Sequence, residues 1–286
     1  MEKNLVLKIL TENKDNYNLI AGDFDKKRGF LWPEIEATAS YIAPESLVLD
    51  VGCGNGRIFP LVTQNGGKYL GFDISENLIK IAQTKYGEKY FFVADLLRIN
   101  NSSHSGLSSI PTGFWSRPRL RRSPPQNDNF KFDLVYCLAI LHHIPSSELR
   151  LQALQNIKSL LKPNAILILS VWNLWQKKYL KYVLREFFFK LIGKSKLDWG
   201  DCYVPYKIQK SKFKSQNFNS KFKIKNYDIE NSLKIKNLKF KIIPRYLHVF
   251  TLKDLVNLIK TAGFQILEKK KTKGNLLIIA KLKIDL

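Results

Sequence analysis

"LVLDVGCGNGRIFPLV", residues 47–62, sets three glycines within five positions directly behind an apolar run. A glycine inside a strand or helix costs about 0.5–1 kcal/mol relative to alanine. Three so close together mean that the backbone itself is needed, for a sharp turn or for close approach to a ligand. "SLVLDV" (46–51) reads as a strand, and "RIFPLVTQN" behind the glycines reads as a short helix. Strand, glycine turn and helix, in that order, hold a nucleotide-like ligand at the carboxyl edge of a parallel sheet. The pattern is GxGxG. It is neither the GxGxxG of dinucleotide enzymes nor a P-loop, because no GK[ST] follows.

Outward from this segment the chain keeps alternating. "KYLGFD" (68–73) reads as a second strand, and "SENLIKIAQTKYG" (75–87) as a helix capped by Ser75 and ended by Gly87. "YFFVAD" (90–95) and "KFDLVYCLA" (131–139) read as the third and fourth strands. "SSELRLQALQNIKSLLKPN" (146–164) reads as an amphipathic helix with Leu149, Ala153, Ile157, Leu160 and Leu161 on one face, and "AILILSVW" (165–172) as the fifth strand. "TLKDLVNLIKTAGF" (251–264) is a last helix stopped by Gly263, and "QILEKKK" and "NLLIIAKLKI" form a closing antiparallel pair. Such alternation predicts an α/β fold, a parallel sheet with helices on both faces. Residues 1–286 are read as a single domain, with 1–45 as an N-terminal helical cap in which Pro33 suits a first helical turn.

Carboxylates end the first three strands: Asp50, then Asp73, 21 residues after Gly52, then Asp95. A carboxylate at the second position accepts both hydroxyls of a ribose. An acceptor at the third meets an adenine amino group. The competing reading is a glycine-rich turn with ordinary capping aspartates.

The combination resembles the class I S-adenosylmethionine-dependent methyltransferases. The resemblance implies a Rossmann-like seven-stranded sheet of order 3-2-1-4-5-7-6 with strand 7 antiparallel, and S-adenosyl-L-methionine as cofactor. It also implies Gly52, Gly54 and Gly56 in the donor loop, Asp50 or its neighbour near the methionine amine, and Asp73 with Ile74 at the ribose. Asp95 and Leu96 would surround the adenine, and Leu138 opens "LAILHHI" (138–144), similar to the segment lining the methyl donor. No metal is required, because the sulfonium is already activated; the enzyme aligns nucleophile, methyl and sulfur and excludes water. "FDKKRGFLWPEI" (24–35), "WGDCYVPY" (199–206) and "RYLHVFTLKDL" (245–255), with "LHHI" and "SVWNLWQKKY", are similar to the tRNA wobble-uridine methyltransferases that esterify 5-carboxymethyluridine in the anticodon. Two features depart from that family. Its usual aromatic pair after the arginine is Tyr246-Leu247 here, and its short segment before strand 4 is replaced by residues 100–129. The resemblance implies a tRNA anticodon stem-loop as substrate and a small activating partner subunit.

Esterification needs no strong base, since a carboxylate is ionised at neutral pH. It needs a clamp that orients one oxygen, and Arg245 is the candidate, because a guanidinium grips a carboxylate with two parallel bonds. His248 and Tyr246 are candidates for contacts to the base or backbone. His143 and Trp172 would shape the methyl pocket, and Arg28 and Trp32 would close over the cofactor. The plainer readings are a surface charge for Arg245, a packed ring for His142 or His143, and a turn residue for Asp201.

The bulk composition fits this picture. The chain has 286 residues, 45% apolar and 12% aromatic, enough for a sizeable core. Its 47 basic and 24 acidic residues give +23, which suits a polyanionic partner or reflects AT-rich coding. Residues 100–129 read as a flexible insertion carrying Arg117, Arg119, Arg121 and Arg122, and 173–246 as a basic substrate-binding elaboration. Within the latter, 207–241 interleaves lysines with aromatic residues, as single-stranded RNA binding requires, or forms a solubilising insertion. "QKKYLKYVLREFFFKLIGK" (176–194) puts Leu180, Leu184, Phe187, Phe188 and Leu191 on one face and reads as a cap packed over the sheet. Cys53, Cys137 and Cys202 form no CxxC pair, which argues against disulfides and structural zinc. No apolar run reaches the ~18 residues of a membrane span, and "MEKNLVLKILTENKDNYNL" lacks a signal-peptide core. The expectation is a cytoplasmic monomer without membrane contact. Three functions fit: a tRNA wobble methyltransferase, a methyltransferase for a quinone precursor or another metabolite, and a non-catalytic RNA-binding module that retains the cofactor.

Overall fold

Valine and leucine alternate with few polar residues in the segment before the glycines because that strand is covered on both sides, as a central parallel strand must be. The computed structural model describes residues 1–99, 131–209 and 240–283. Its strands are Leu47–Val51 (β1), Lys68–Asp73 (β2), Phe91–Val93 (β3), Phe132–Leu138 (β4), Leu161–Trp172 (β5), Asp201–Gln209 (β6), Phe240–His248 (β7), Phe264–Lys271 (β8) and Asn275–Leu282 (β9). Its helices are Lys3–Lys27 (α1), Pro33–Glu36 (α2), Phe59–Gln64 (α3), Glu76–Tyr86 (α4), Ser147–Ser159 (α5), Lys177–Leu191 (α6) and Leu252–Thr261 (α7).

Seven strands form one sheet in the order β3-β2-β1-β4-β5-β9-β8. β9 runs antiparallel to β5 and β8, and the other neighbouring pairs are parallel. With β6 and β7 set apart as a separate antiparallel hairpin, this is the expected order 3-2-1-4-5-7-6. Side chains alternate across the pleat. Leu49 and Val51 join Val135, Leu169, Phe250 and Ile259 on one face, under α5 and α7. Val48 joins Tyr69, Tyr136 and Ile168 on the other, against Ile35, Val62 and Ala82 of α2, α3 and α4.

Local chemistry sets the helix ends. The Ser75 hydroxyl accepts from the Leu78 amide at 3.3 Å, and Gly87, at φ 102°, ends α4. Thr251 and Asp254 form a reciprocal capping box at the start of α7. Helix α5 stops at Ser159 and β5 begins at Leu161, four residues before the strand predicted from sequence. The early start has a cause. The Phe132 amide donates to the Leu160 carbonyl at 2.8 Å, and Lys162 reaches both Asp133 oxygens at 2.8 Å, so this segment is stitched onto β4.

The reading of α6 as a cap over the main sheet is corrected. Tyr179, Tyr182 and Val183 pack against Cys202, Val204 and Leu247 of the hairpin, while Leu184, Phe187, Phe188 and Leu191 face outward, 52–63% exposed. The insertion at 100–129 and all but the ends of 207–241 lie outside the described residues. The ends of the latter extend the hairpin, where Gln209 pairs with Phe240.

Candidate active site

At the carboxyl edge of β1 the chain turns through Gly52, Gly54 and Gly56, at φ 68°, 57° and 76°. A Cβ on Gly52 would lie 2.1 Å from Ile140 Cδ1, and one on Gly56 would lie 2.9 Å from the Phe91 ring. Gly52 and Gly54 line a cavity at this edge. Gly56 instead lets the loop pack on β3. The Gly54 amide donates to Asp73 Oδ2 at 3.0 Å, and the Ser75 amide to Oδ1 at 2.8 Å. Both oxygens of Asp73 are thus fixed, with lone pairs left over, at the rim of the cavity; burial pushes this carboxyl up to about 6. Ile74, Asp95, Leu96 and Leu138 also line the cavity, and Asp95 is held by accepting from the Leu97 amide at 3.0 Å. Asp50 lies elsewhere. It is turned behind the loop, where it accepts from the Tyr69 hydroxyl at 2.8 Å, and burial pushes it up to about 7.

The opposite wall comes from the turn after β4, the end of β5, and α1. The Trp172 amide donates to His142 Nδ1 at 3.3 Å, which makes His142 a packed ring beneath the site. His143 faces the cavity. Its Nε2 lies 2.8 Å from the Tyr17 hydroxyl, and burial pushes it down to about 3, so it stays neutral. Arg28 sits 5.6 Å from the Trp172 ring and 5.8 Å from Trp32, and Arg57 lies 4.2 Å from Trp32. Burial, then the charge of Arg28, lowers Arg57 to about 10.

The hairpin supplies Arg245. Arg245 is not among the residues lining the cavity; its guanidinium lies between Trp172, which does line it, at 5.0 Å and Tyr206 at 4.8 Å. It is 8% exposed, its Nε has no hydrogen-bond partner, and no carboxylate pairs with it among the described residues. Tyr246 and His248 point the other way. The Tyr246 ring packs on Tyr203 in a small core with Ile9 and Leu197, and the site receives only its carbonyl, 3.3 Å from His143 Nδ1. His248 Nδ1 donates to Asp201 Oδ1 at 2.7 Å, beside Arg150. Asp201 is therefore the centre of a buried cluster rather than a plain turn residue. Tyr17 and Arg57 were not singled out from the sequence. Arg57 directly follows the glycines and was legible as a cation at the loop; Tyr17 sits in an ordinary helical pattern and carried no signal.

Glycines at positive φ, a fixed carboxylate at the end of β2 and an apolar slot beyond it suit a nucleoside with a charged tail. Arg28 and Arg57 line the same cavity as cations. This edge, on this strand order, defines a methyl-transferring enzyme. The chain belongs to the methyltransferase-domain family, which it matches over residues 24–269. Among its relatives is the tRNA (carboxymethyluridine(34)-5-O)-methyltransferase of Schizosaccharomyces pombe, 27% identical over 92% of this chain and 93% of that protein. The Xenopus tropicalis protein of the same activity name is 31% identical over 58% of this chain but only 22% of its own length, and the chain likewise spans under a third of the Arabidopsis thaliana relative. A Coxiella burnetii ubiquinone biosynthesis O-methyltransferase is 26% identical over 56% of this chain and 58% of its own. Among solved structures, a Burkholderia thailandensis N-methyltransferase with bound S-adenosylhomocysteine superposes with a TM-score of 0.56 at 13% identity, over 98% of this chain and 91% of that one.

Proposed function

We propose that this methyltransferase esterifies the carboxylate of 5-carboxymethyluridine at the tRNA wobble position. One observation carries the reading: Arg245 is a buried cation that pairs with no carboxylate among the described residues. A guanidinium so far from water is costly unless an anion meets it, and stacking between two rings leaves its N–H edge for a planar carboxylate. The bound cofactor supplies a methyl group on a positively charged sulfur, so the acceptor brings only a nucleophile. A carboxylate arrives ionised, and its esterification moves no proton. His143 suits that chemistry, since its Nε2 is taken up by Tyr17 and the ring is too weakly basic to collect a proton. A phenol, the acceptor in quinone-type O-methylation, would need such a base. Trp172 and His143 exclude water, and the target base must leave its stack to enter. The full-length similarity to the fission-yeast relative supports the same acceptor.

The test is incubation with deuterium-methyl S-adenosylmethionine and total tRNA from a strain lacking this ester, repeated with extract of that strain to supply any activating subunit. Mass spectrometry should find labelled carboxymethyluridine methyl ester. Arg245→Ala should reduce it about 10- to 100-fold, the value of one charge-assisted pair. Donor-binding protein that labels no nucleoside would redirect the search to small acids.

A further inference from the structure

Helix α6 carries its most apolar stripe on the side away from the hairpin. Leu184, Phe187, Phe188 and Leu191 recur at the spacing of three and four that lines one helix face, and Ile192 continues the stripe past the helix end. Trp199 joins it from the following loop. Its ring lies 5.4 Å from that of Phe187, and it is 56% exposed. A monomer rarely leaves so contiguous an apolar patch in water unless something binds it.

The patch is a fixed platform. The Lys194 amide donates to the Phe189 carbonyl at 2.9 Å, and the Lys190 ammonium donates to the Leu197 carbonyl, which ties the loop to the helix end. Beneath, Tyr182 and Val183 rest on the hairpin. The hairpin in turn meets Ile9 of α1 through Tyr203 and Tyr246, and Asn16 Nδ2 of α1 donates to the Pro244 carbonyl at 3.0 Å. No residue of the stripe lines the cavity.

The charges around the stripe have one sign. Lys177, Lys178, Lys181, Lys194 and Lys196 are exposed. The sole acidic residue between 176 and 197, Glu186, is buried and accepts from the Ser195 hydroxyl. Nearby, Asp198 pairs with the N-terminal ammonium at 2.9 Å, and Glu2 lies 3.7 Å from Lys196. The complement of this face is therefore apolar and anionic together. A second copy carries the same +23 and repels. Residues 100–130 and 210–239 hold more lysine and arginine than acid, so they too have the wrong sign. RNA is anionic, but Leu184, Leu191 and Ile192 offer no ring on which a base can stack. An anionic lipid surface meets both demands: its acyl boundary takes leucine, phenylalanine and tryptophan, and its headgroups take lysine.

We propose that the outer face of α6, with Trp199, docks the protein on an anionic lipid surface. Among the described residues no helix is long and apolar enough to cross a membrane, so α6 lies in the interface. Docking here is independent of the methyl acceptor.

The test is flotation of the full chain with vesicles of phosphatidylcholine containing about 30% phosphatidylglycerol, and with phosphatidylcholine alone. The protein should float with the anionic vesicles and not with the neutral ones. Phe188→Ser with Leu191→Ser keeps the net charge, so any general attraction of a basic molecule is common to both proteins. It should weaken vesicle binding at least tenfold, with Tm and Kd for the donor unchanged. Lys177→Gln with Lys181→Gln should weaken it several-fold. Equal flotation of wild type and the serine variant, or none by either, overturns the proposal. So does a serine variant that instead loses tRNA in filter binding, which assigns the face to RNA. A wild-type dimer in sedimentation that the serine variant abolishes assigns it to a second copy and overturns the proposal as well.

Discussion

Asp50 and Arg245 illustrate opposite outcomes at the scale of one residue. The chemistry of a carboxylate acceptor singles out Arg245 in the sequence, and the pleat sets that residue between Trp172 and Tyr206. Asp50 was legible as a strand-ending carboxylate but not as a ligand contact. Period-two alternation puts it on the face of Val48, toward Tyr69 and away from the cavity. Tyr17 escaped because nothing local distinguishes a tyrosine that reaches a histidine 126 positions away. The burial of Asp50 has a measurable sign. Its folded carboxyl sits at about 7 against a usual 3.8, so between about pH 4 and 7 the folded protein holds a proton that the unfolded chain releases. Wild-type stability therefore loses a contribution as pH rises through that window. Asp50→Asn keeps an acceptor for Tyr69 and abolishes the titration. Its Tm relative to wild type should climb from pH 4 to 7 and level off above, by up to ~4 kcal/mol in stability. A pH-independent difference in calorimetric scans would show that Asp50 stays ionised.

At the scale of the element, periodicity identifies α6 as a helix but not what it rests on. Its most apolar stripe faces outward, while tyrosines and Val183 meet the hairpin. An amphipathic pattern gives the existence of a face, and only the topology decides which face finds a partner. The same limit explains the hairpin: "WGDCYVPY" and "RYLHVF" stand out in the sequence as separate motifs, yet they pair across a long connection outside the described residues. Phe188→Ser with Leu191→Ser should leave stability within about 0.5 kcal/mol of wild type, as exposed positions do. Leu247→Ala, fully buried beneath the same helix, should cost about 2–4 kcal/mol. Urea titrations of the two variants give the comparison directly. A large loss from the exposed pair would mean that the stripe is covered.

For the whole molecule, alternation predicts a parallel sheet with helices on both faces, while the strand order is what the resemblance implies and not what alternation fixes. The net charge of +23 acts at this scale too. If three or four phosphates are contacted, tRNA affinity should weaken roughly 40- to 150-fold between 50 and 200 mM salt. Donor affinity should barely change. A flat salt response in filter binding would exclude a phosphate-tracking surface and favour a small acceptor.

Asn16 on α1 bonds the carbonyl of Pro244, 228 residues later. A ribosome adding about 5–20 residues per second leaves that helix without this partner for about 10–50 s. During the interval the face must sit in water without attracting other nascent chains, and asparagine side chains meet that demand where leucines would not. The donor loop and β1–β4 emerge early in that wait, so a growing chain would hold the cofactor edge well before it holds Arg245. α7, β8 and β9 emerge later still, so the sheet is completed only at the end of synthesis.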